Sequence, residues 1–276
     1  MASIQSLLEN ATLPDSPTAR LDAELLLAAA LGKSRSYLHT WPEREPAPQQ
    51  AQTFAGWLAR RQQGEPVAYI LGRQGFWSLD LEVAAHTLIP RADTELLVEV
   101  ALQLLPETPM HVLDLGCGSG AIALALAAER RLWQVQGVDR IVAAVDLAER
   151  NRQRLALSNA SFSPSHWFDA LHGQRFALIV SNPPYIAAGD AHLEQGDLRF
   201  EPLSALVAGA DGLDDIRAII EQAPAYLQRG GWLALEHGFD QAGRVRDLLC
   251  ARGFSAIDSR LDLGGHQRIS LGQWQP

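Results

Sequence analysis

The stretch "VLDLGCGSGAIALA", residues 112–125, limits the folds open to this chain more than any other. It reads as a buried strand, a glycine turn and then an alanine-rich helix, the opening of a strand–helix–strand unit. The pattern continues. "WQVQGVD" reads as the next strand, "IVAAVDLAERNRQRLAL" as a helix and "FALIVSN" as a later strand, before "LDDIRAIIEQAPAYLQ", "GWLALEHG" and "AGRVRDLLCA". Strands alternating with helices call for a mostly parallel sheet covered on both faces. The end departs from this, because "SRLDL", Gly264-Gly265 and "QRISLGQW" read as an antiparallel hairpin.

The preceding residues read differently. Ser16-Pro17 starts a helix whose stripe of Leu21, Leu25, Ala28 and Ala29 runs to Gly32. The proline-rich "WPEREPAPQQ" follows, and then Phe54, Trp57 and Leu58 mark a second helix ending near Gly64. From Phe76 to Val83, alternation with Leu79, Leu81 and Val83 on one side predicts a hairpin or linker strand, and a helix is expected around Asp93–Leu105. The expected organisation is a helical part over 1–75, a hairpin or linker over 76–90 and the alternating domain over 91–276.

The formal net charge of −9 disfavours a protein that holds nucleic acid through its phosphates. Two cysteines, Cys117 and Cys250, and eight scattered histidines show no disulfide framework and no metal-ligand spacing. "LLLAAAL" is too short to span a bilayer, no signal peptide is evident, and a reducing cytoplasm is expected.

The glycine loop Gly116-Cys117-Gly118-Ser119-Gly120 lets a ligand approach backbone, and the helix start offers N–H groups to an anion. Its spacing differs from the dinucleotide fingerprint, which weakens a nicotinamide oxidoreductase reading. Asp139 ends the next strand, where an acid accepts ribose hydroxyls. A ribose-bearing ligand with a carboxylate or phosphate at its far end is therefore expected, and S-adenosylmethionine satisfies this. "SHWFDAL" supplies Trp167 as a wall for the adenine.

"SNPPY" ends the strand "FALIV". Asn182 precedes a proline and must stay extended, and neither Pro183 nor Pro184 carries an N–H. The corner therefore presents oxygen acceptors. A planar nitrogen is a poor nucleophile because its lone pair is delocalised. Two fixed acceptors, the Asn182 side-chain oxygen and the Pro183 carbonyl, would hold its N–H bonds and aim the third direction at a methyl donor. They would also face the positive charge that develops, an oxyanion hole of reversed sign. Tyr185 can pack on the planar group.

With "GCGSG", Asp139 and "NPPY" in this order, the chain resembles class I S-adenosylmethionine-dependent N-methyltransferases. It is most similar to the release factor glutamine methyltransferase family, through "EPVAYILGRQGFW", "LIPRADTELLVE", "SHWFDAL", "GDLRFEPLSAL" and "LEHG". Ala92 departs from the family's usual proline. The resemblance implies a Rossmann-like seven-stranded sheet with an antiparallel C-terminal hairpin and a small N-terminal helical domain that docks the substrate. It implies methyl transfer to the glutamine amide in the Gly-Gly-Gln loop of class-1 peptide-chain release factors, leaving S-adenosylhomocysteine. Cofactor contacts fall on Gly116 to Gly120, Asp139, Trp167 and Asn182, and substrate contacts on Asn182, Pro183, Pro184 and Tyr185. A monomer with no metal, no stable nucleic acid and no membrane association is expected. A ribosomal-protein glutamine, an adenine N6 in nucleic acid and a non-catalytic binding module stay open as alternatives.

Overall fold

The computed structural model describes residues 2–275, which divide into two compact units. One holds the chain up to Arg73 together with Ala191–Phe200, and the other holds Gln74–Asp190 and the chain from Glu201 onward. The segment 191–200 thus groups with the first unit, although the sequence pattern leaves it inside the alternating domain.

The first unit contains α1 (Ile4–Glu9), α2 (Ala19–Leu31), α3 (Arg35–Thr40), α4 (Pro48–Gln62) and α5 (Val67–Leu71). Their core gathers Ile4, Leu26, Leu27, Leu38, Phe54 and Ile70. Helix α2 stops at Gly32, whose φ of 62° is left-handed. Its buried face differs from the expected stripe. Leu21 and Ala29 are exposed, while Asp22 and Glu24 are buried beside Leu26 and Leu27. Paired charges make this affordable. Glu24 is held by Arg20 and Arg35, each at 2.8 Å, and Asp22 by Arg61 at 2.8 Å. Arg61 also reaches Asp197 at 2.8 Å, which fastens the 191–200 segment to these helices.

The second unit opens on the hairpin whose strands are β1 (Arg73–Phe76) and β2 (Leu79–Glu82). Then come α6 (Glu95–Leu104), β3 (His111–Leu115), α7 (Ala121–Glu129), β4 (Gln134–Asp139), α8 (Val142–Arg154), β5 (Ala160–Pro164) and β6 (Phe176–Ser181). The chain closes with α9 (Asp214–Gln222), β7 (Leu227–Glu236), α10 (Ala242–Arg252), β8 (Ser255–Leu261) and β9 (Gln267–Gln273). Seven strands form one sheet in the order β5-β4-β3-β6-β7-β9-β8. The first five are parallel, and β9 runs antiparallel to both β7 and β8. This is the expected Rossmann-like methyltransferase sheet with its C-terminal hairpin.

Both faces of the central strands are buried, and alternate residues serve different layers. Val112, Leu178 and Val180 pack with α6 and α7, whereas Leu113, Leu115 and Ile179 pack with α9 and α10. Helix α7 is apolar on every side, and Ala121 to Ala127 are all buried. Strand β5, which the sequence reading passes over, is a half-exposed edge of mixed polarity. No helix among the described residues is long and apolar enough to cross a membrane.

Candidate active site

Parallel pairing places the two sequence motifs side by side. Leu115 and Ser181 are partners across β3 and β6, and Ser181 Oγ donates to Leu115 O at 2.7 Å. The glycine loop and the Asn-Pro-Pro-Tyr corner therefore leave neighbouring strands at the same edge, their carboxyl ends. This is where open α/β sheets hold ligands.

Gly116, Gly118 and Gly120 have φ of 69°, 53° and 83°, conformations that side chains resist. Gly116 and Cys117 both donate backbone N–H to Val138 O, at 2.8 and 3.0 Å, which folds the loop against β4. The Gly118 N–H donates to Asp139 Oδ2 and the Ile141 N–H to Asp139 Oδ1, each at 2.9 Å. A carboxylate offers about four lone-pair sites, so each Asp139 oxygen retains capacity for one more donor. That capacity matches a vicinal diol. The Trp167 ring lies over Gly116, where an added Cβ would come within 3.3 Å of it.

These groups line one cleft holding ≈ 930 Å³ of space free of protein atoms, part of it continuous with solvent. That lies within the usual range for sites that take molecules of cofactor size. Gly116, Cys117, Gly118, Ser119, Asp139, Trp167, Asn182 and Pro184 contribute to its walls. Gly120, Pro183 and Tyr185 do not. Gly120 instead serves packing, since a Cβ there would sit 3.0–3.1 Å from Phe162, Ala148 and Leu124. Phe168, beside Trp167 in sequence, is buried in the core and stacks on Tyr226 at 4.5 Å. A glycine-floored slot with a diol acceptor at one end and an indole wall fits S-adenosylmethionine.

Asn182 is half-buried, and both following prolines are buried. Its Nδ2 donates to Thr94 Oγ1 at 3.1 Å, and no other hydrogen bond of its side chain is formed among the described residues. Oδ1 is therefore left available as an acceptor. Tyr185 points away from the cleft. Its hydroxyl donates to Glu236 Oε1 at 3.4 Å, and burial, reinforced by the Glu236 charge, pushes its pKa far up. Its backbone oxygen accepts from Gln241 Nε2 at 2.9 Å.

Several residues of this site were not singled out by the sequence reading, although the stretches that hold them were. Glu201 is buried and accepts from the Ile89 N–H at 3.0 Å and from the Arg91 guanidinium, which pins the "LIPR" segment forming one wall. This bond joins "LIPRADTE" to "RFEP". Asp114, buried at the end of β3, accepts from the Ala123 N–H at 3.1 Å through Oδ2, while Oδ1 has no partner. Burial lifts its pKa to about 8, opposed by that N–H and helped by the Asp139 charge. Glu236, at the end of β7, is likewise lifted by burial to about 7.

Comparison with known proteins agrees with this construction. Residues 2–72 match the family model described as "PrmC N-terminal domain", and residues 91–197 match "Methyltransferase small domain". A release factor glutamine methyltransferase of Pseudomonas aeruginosa is 65% identical over 274 residues, 99% of each chain. The protein of that name from Escherichia coli K12 is 49% identical over 262 residues, 95% of each chain. In three dimensions, a methyltransferase from Pyrococcus furiosus superposes with a TM-score of 0.55 at 18% identity, over 80% of this chain and all of that one, which shows the shared fold. Near-complete coverage at such identity, with both the helical and the methyltransferase portions matched, places the chain in the release factor glutamine methyltransferase family.

Proposed function

We propose that this chain transfers a methyl group from S-adenosylmethionine to the side-chain amide nitrogen of the glutamine in the Gly-Gly-Gln loop of class-1 peptide-chain release factors, in the cytoplasm. S-adenosylmethionine, when bound, supplies a methyl group on a positively charged sulfur. In this reading the loop Gly116 to Ser119 takes its amino-acid end, Asp139 its ribose and Trp167 its adenine, while Gly120 sets the turn that starts α7.

The observation that carries the proposal is the Asn182 amide, anchored by its nitrogen on Thr94 with its oxygen left over. The Oδ1 accepts one N–H of the substrate amide, and the Pro183 carbonyl accepts the other. The substrate nitrogen is thereby held with its out-of-plane direction open. As positive charge grows on that nitrogen, the two oxygens face it without having to reorganise. Asn is suited to the position, since a neutral side chain costs less to bury than a carboxylate. The product's extra proton leaves readily, because a protonated N-alkyl amide is a strong acid. Tyr185, half-buried with its hydroxyl on Glu236, acts as a brace under the corner. The first unit, which carries none of these groups, supplies the second contact to a folded release factor.

Asn182→Ala tests the reading. Removing one preorganised group of this kind costs about 100- to 1000-fold in turnover. The expected result is that loss with S-adenosylmethionine affinity retained, read by mass spectrometry of a purified class-1 release factor and by calorimetry. Near-normal turnover of the variant would refute the amide clamp.

A further inference from the structure

We infer that Gln241 is a positioning residue that aims the Pro183 carbonyl at the substrate amide, by holding the Tyr185 carbonyl at the far end of the proline corner. The inference rests on the reading that the Pro183 oxygen receives a substrate N–H, and it assigns a cause to that direction.

The Gln241 side chain is spent on backbone groups from three segments. Its Oε1 accepts from the Gly238 N–H at 2.8 Å, and its Nε2 donates to Tyr185 O at 2.9 Å and to Gly212 O at 3.5 Å. These partners fix which way round the amide sits, because a backbone N–H only donates and a carbonyl only accepts. Glutamine supplies both ends. An ionised glutamate would lack the donor, and methionine, of similar length, offers neither group. Gln241 is 7% exposed, so water is poorly placed to replace a lost bond.

The hold stands on rigid structure. Gln241 is the N-cap residue of α10, whose Val245 and Leu249 lie in the core, and its own N–H donates to Gly238 O at 2.9 Å. Gly238 O also accepts from His237 Nδ1 at 2.9 Å, and His237 Nε2 lies 2.8 Å from Ser270 Oγ of β9. His237 and Ser270 are fully buried, so the turn from β7 into α10 is tied to the sheet. Gly212 keeps the opposite side clear. A Cβ there would come within 2.3 Å of Tyr185 O and 2.9 Å of Gln241 Nε2.

The corner needs such an outside hold. At its near end Ser181 is fixed by pairing with Leu115 and Leu235 in the neighbouring strands. Pro183 and Pro184 have no N–H by which the corner could be tied from within, and their rings fix φ. Peptide planes are rigid as well. With Ser181 set by the sheet, few torsions separate it from Tyr185, so the direction of the Pro183 carbonyl follows from where Tyr185 O is held. Beyond Tyr185 the chain is laid against 206–209, through Ile186 N–H to Leu206 O at 2.9 Å and Ala188 N–H to Gly209 O at 2.7 Å.

The test uses the full-length enzyme, S-adenosylmethionine and a purified class-1 release factor, with the variants Gln241→Met, Gln241→Glu and Asn182→Ala. A misplacement of about 1 Å caused away from the chemistry can cost about 100-fold. That loss in kcat is expected for Gln241→Met, with KM for the release factor little changed. S-adenosylmethionine affinity, read by calorimetry, should be unchanged too, since Gln241 does not line the cleft. Gln241→Glu separates holding Tyr185 from merely closing the turn before α10. It keeps the acceptor for Gly238, so a residue that only closed the turn would tolerate it. At about pH 9, with the introduced carboxylate ionised, it has no hydrogen for Tyr185 O and should lose turnover as Gln241→Met does. In protein labelled with 13C at its four tyrosine carbonyls, the Tyr185 resonance should shift in both variants without cofactor or substrate. If Asn182→Ala loses turnover while both Gln241 variants keep it, this inference falls and the amide clamp stands. If Asn182→Ala keeps turnover, both fall. An unmoved Tyr185 resonance, or Gln241→Glu matching the wild type while Gln241→Met is impaired, also overturns the positioning role. Should Gln241→Met fail to fold, Gln241→Glu, which keeps the side chain's size and its bond to Gly238, carries the test.

Discussion

Asp114→Asn should make the protein more stable at alkaline pH, and the size of the gain follows from the burial of this one carboxyl. Asp114 is fully buried, with Oδ1 unpartnered, and its pKa stands at about 8 against an ordinary 3.8. A carboxyl whose folded pKa is raised binds its proton more tightly in the folded state. Its stabilising contribution is therefore complete below 3.8 and is lost as pH rises through about 8. Over most of that window the slope approaches 1.4 kcal/mol per pH unit, so the wild type should lose about 2 kcal/mol between roughly pH 6 and 8 from this group alone. The asparagine carries no titrating proton, and its side-chain oxygen can still accept from the Ala123 N–H. For a chain of this size 1 kcal/mol moves the melting temperature by about 2–4 °C. The melting temperature of Asp114→Asn minus that of the wild type, measured without cofactor, should thus rise by about 4–8 °C across those two pH units. Using the difference cancels every other titrating group, Glu236 included. Two parallel lines from pH 6 to 9 would show that Asp114 is already ionised, and the argument from its burial would be wrong.

Asp139→Ala should weaken S-adenosylmethionine by about ten- to a hundredfold or slightly more, since hydrogen bonds to a charged acceptor are worth about 1.5–3 kcal/mol. The same substitution frees the Gly118 and Ile141 N–H groups, so calorimetry should be paired with a melting curve, and unchanged affinity in a folded variant would remove Asp139 from the site. An intact class-1 release factor should be methylated far faster than a short Gly-Gly-Gln peptide. One glutamine offers little contact area, whereas a standard protein interface buries about 1,600 Å². Equal rates on the two substrates would return the first unit to a purely structural role.

What the sequence made legible is what neighbouring residues decide. The strands ending at Leu115 and Ser181 stand out because both their faces are buried, and the one ending at Asp139 because an apolar run leads into a sharp turn. The glycine loop and the proline corner announce themselves through residue types that only special backbone accepts. Failures came where a distant partner changes the meaning of a residue. The stripe on α2 misled because Asp22 and Glu24 look like solvent-facing residues until Arg61, Arg20 and Arg35 are brought to them. Tyr185 belongs to the right motif, but its hydroxyl is turned to Glu236, which enters from a strand 51 positions away. Thr94 meets Asn182 across 88 positions, and nothing in "RADTE" hints that its threonine accepts a hydrogen bond from that amide. Gly120 fits the ligand-loop pattern but is required by Phe162 and Ala148, a packing demand that is invisible before the helices are laid down.

The salt bridge from Arg61 to Asp197 also bears on how the molecule is made. A ribosome releases a chain from its amino end, so domains generally fold as they emerge. The five helices before Arg73 cannot complete their unit on that schedule, because Ala191–Phe200 is still to be synthesised when they appear. Until then the Arg61 guanidinium, buried in the finished fold, lacks one of its two carboxylate partners. For the same reason a gene cut at the hairpin would not yield a complete helical module, since ten of its residues would remain with the other fragment. Grafting this module onto another methyltransferase would mean moving two pieces of sequence, with Arg61 and Asp197 travelling as a pair.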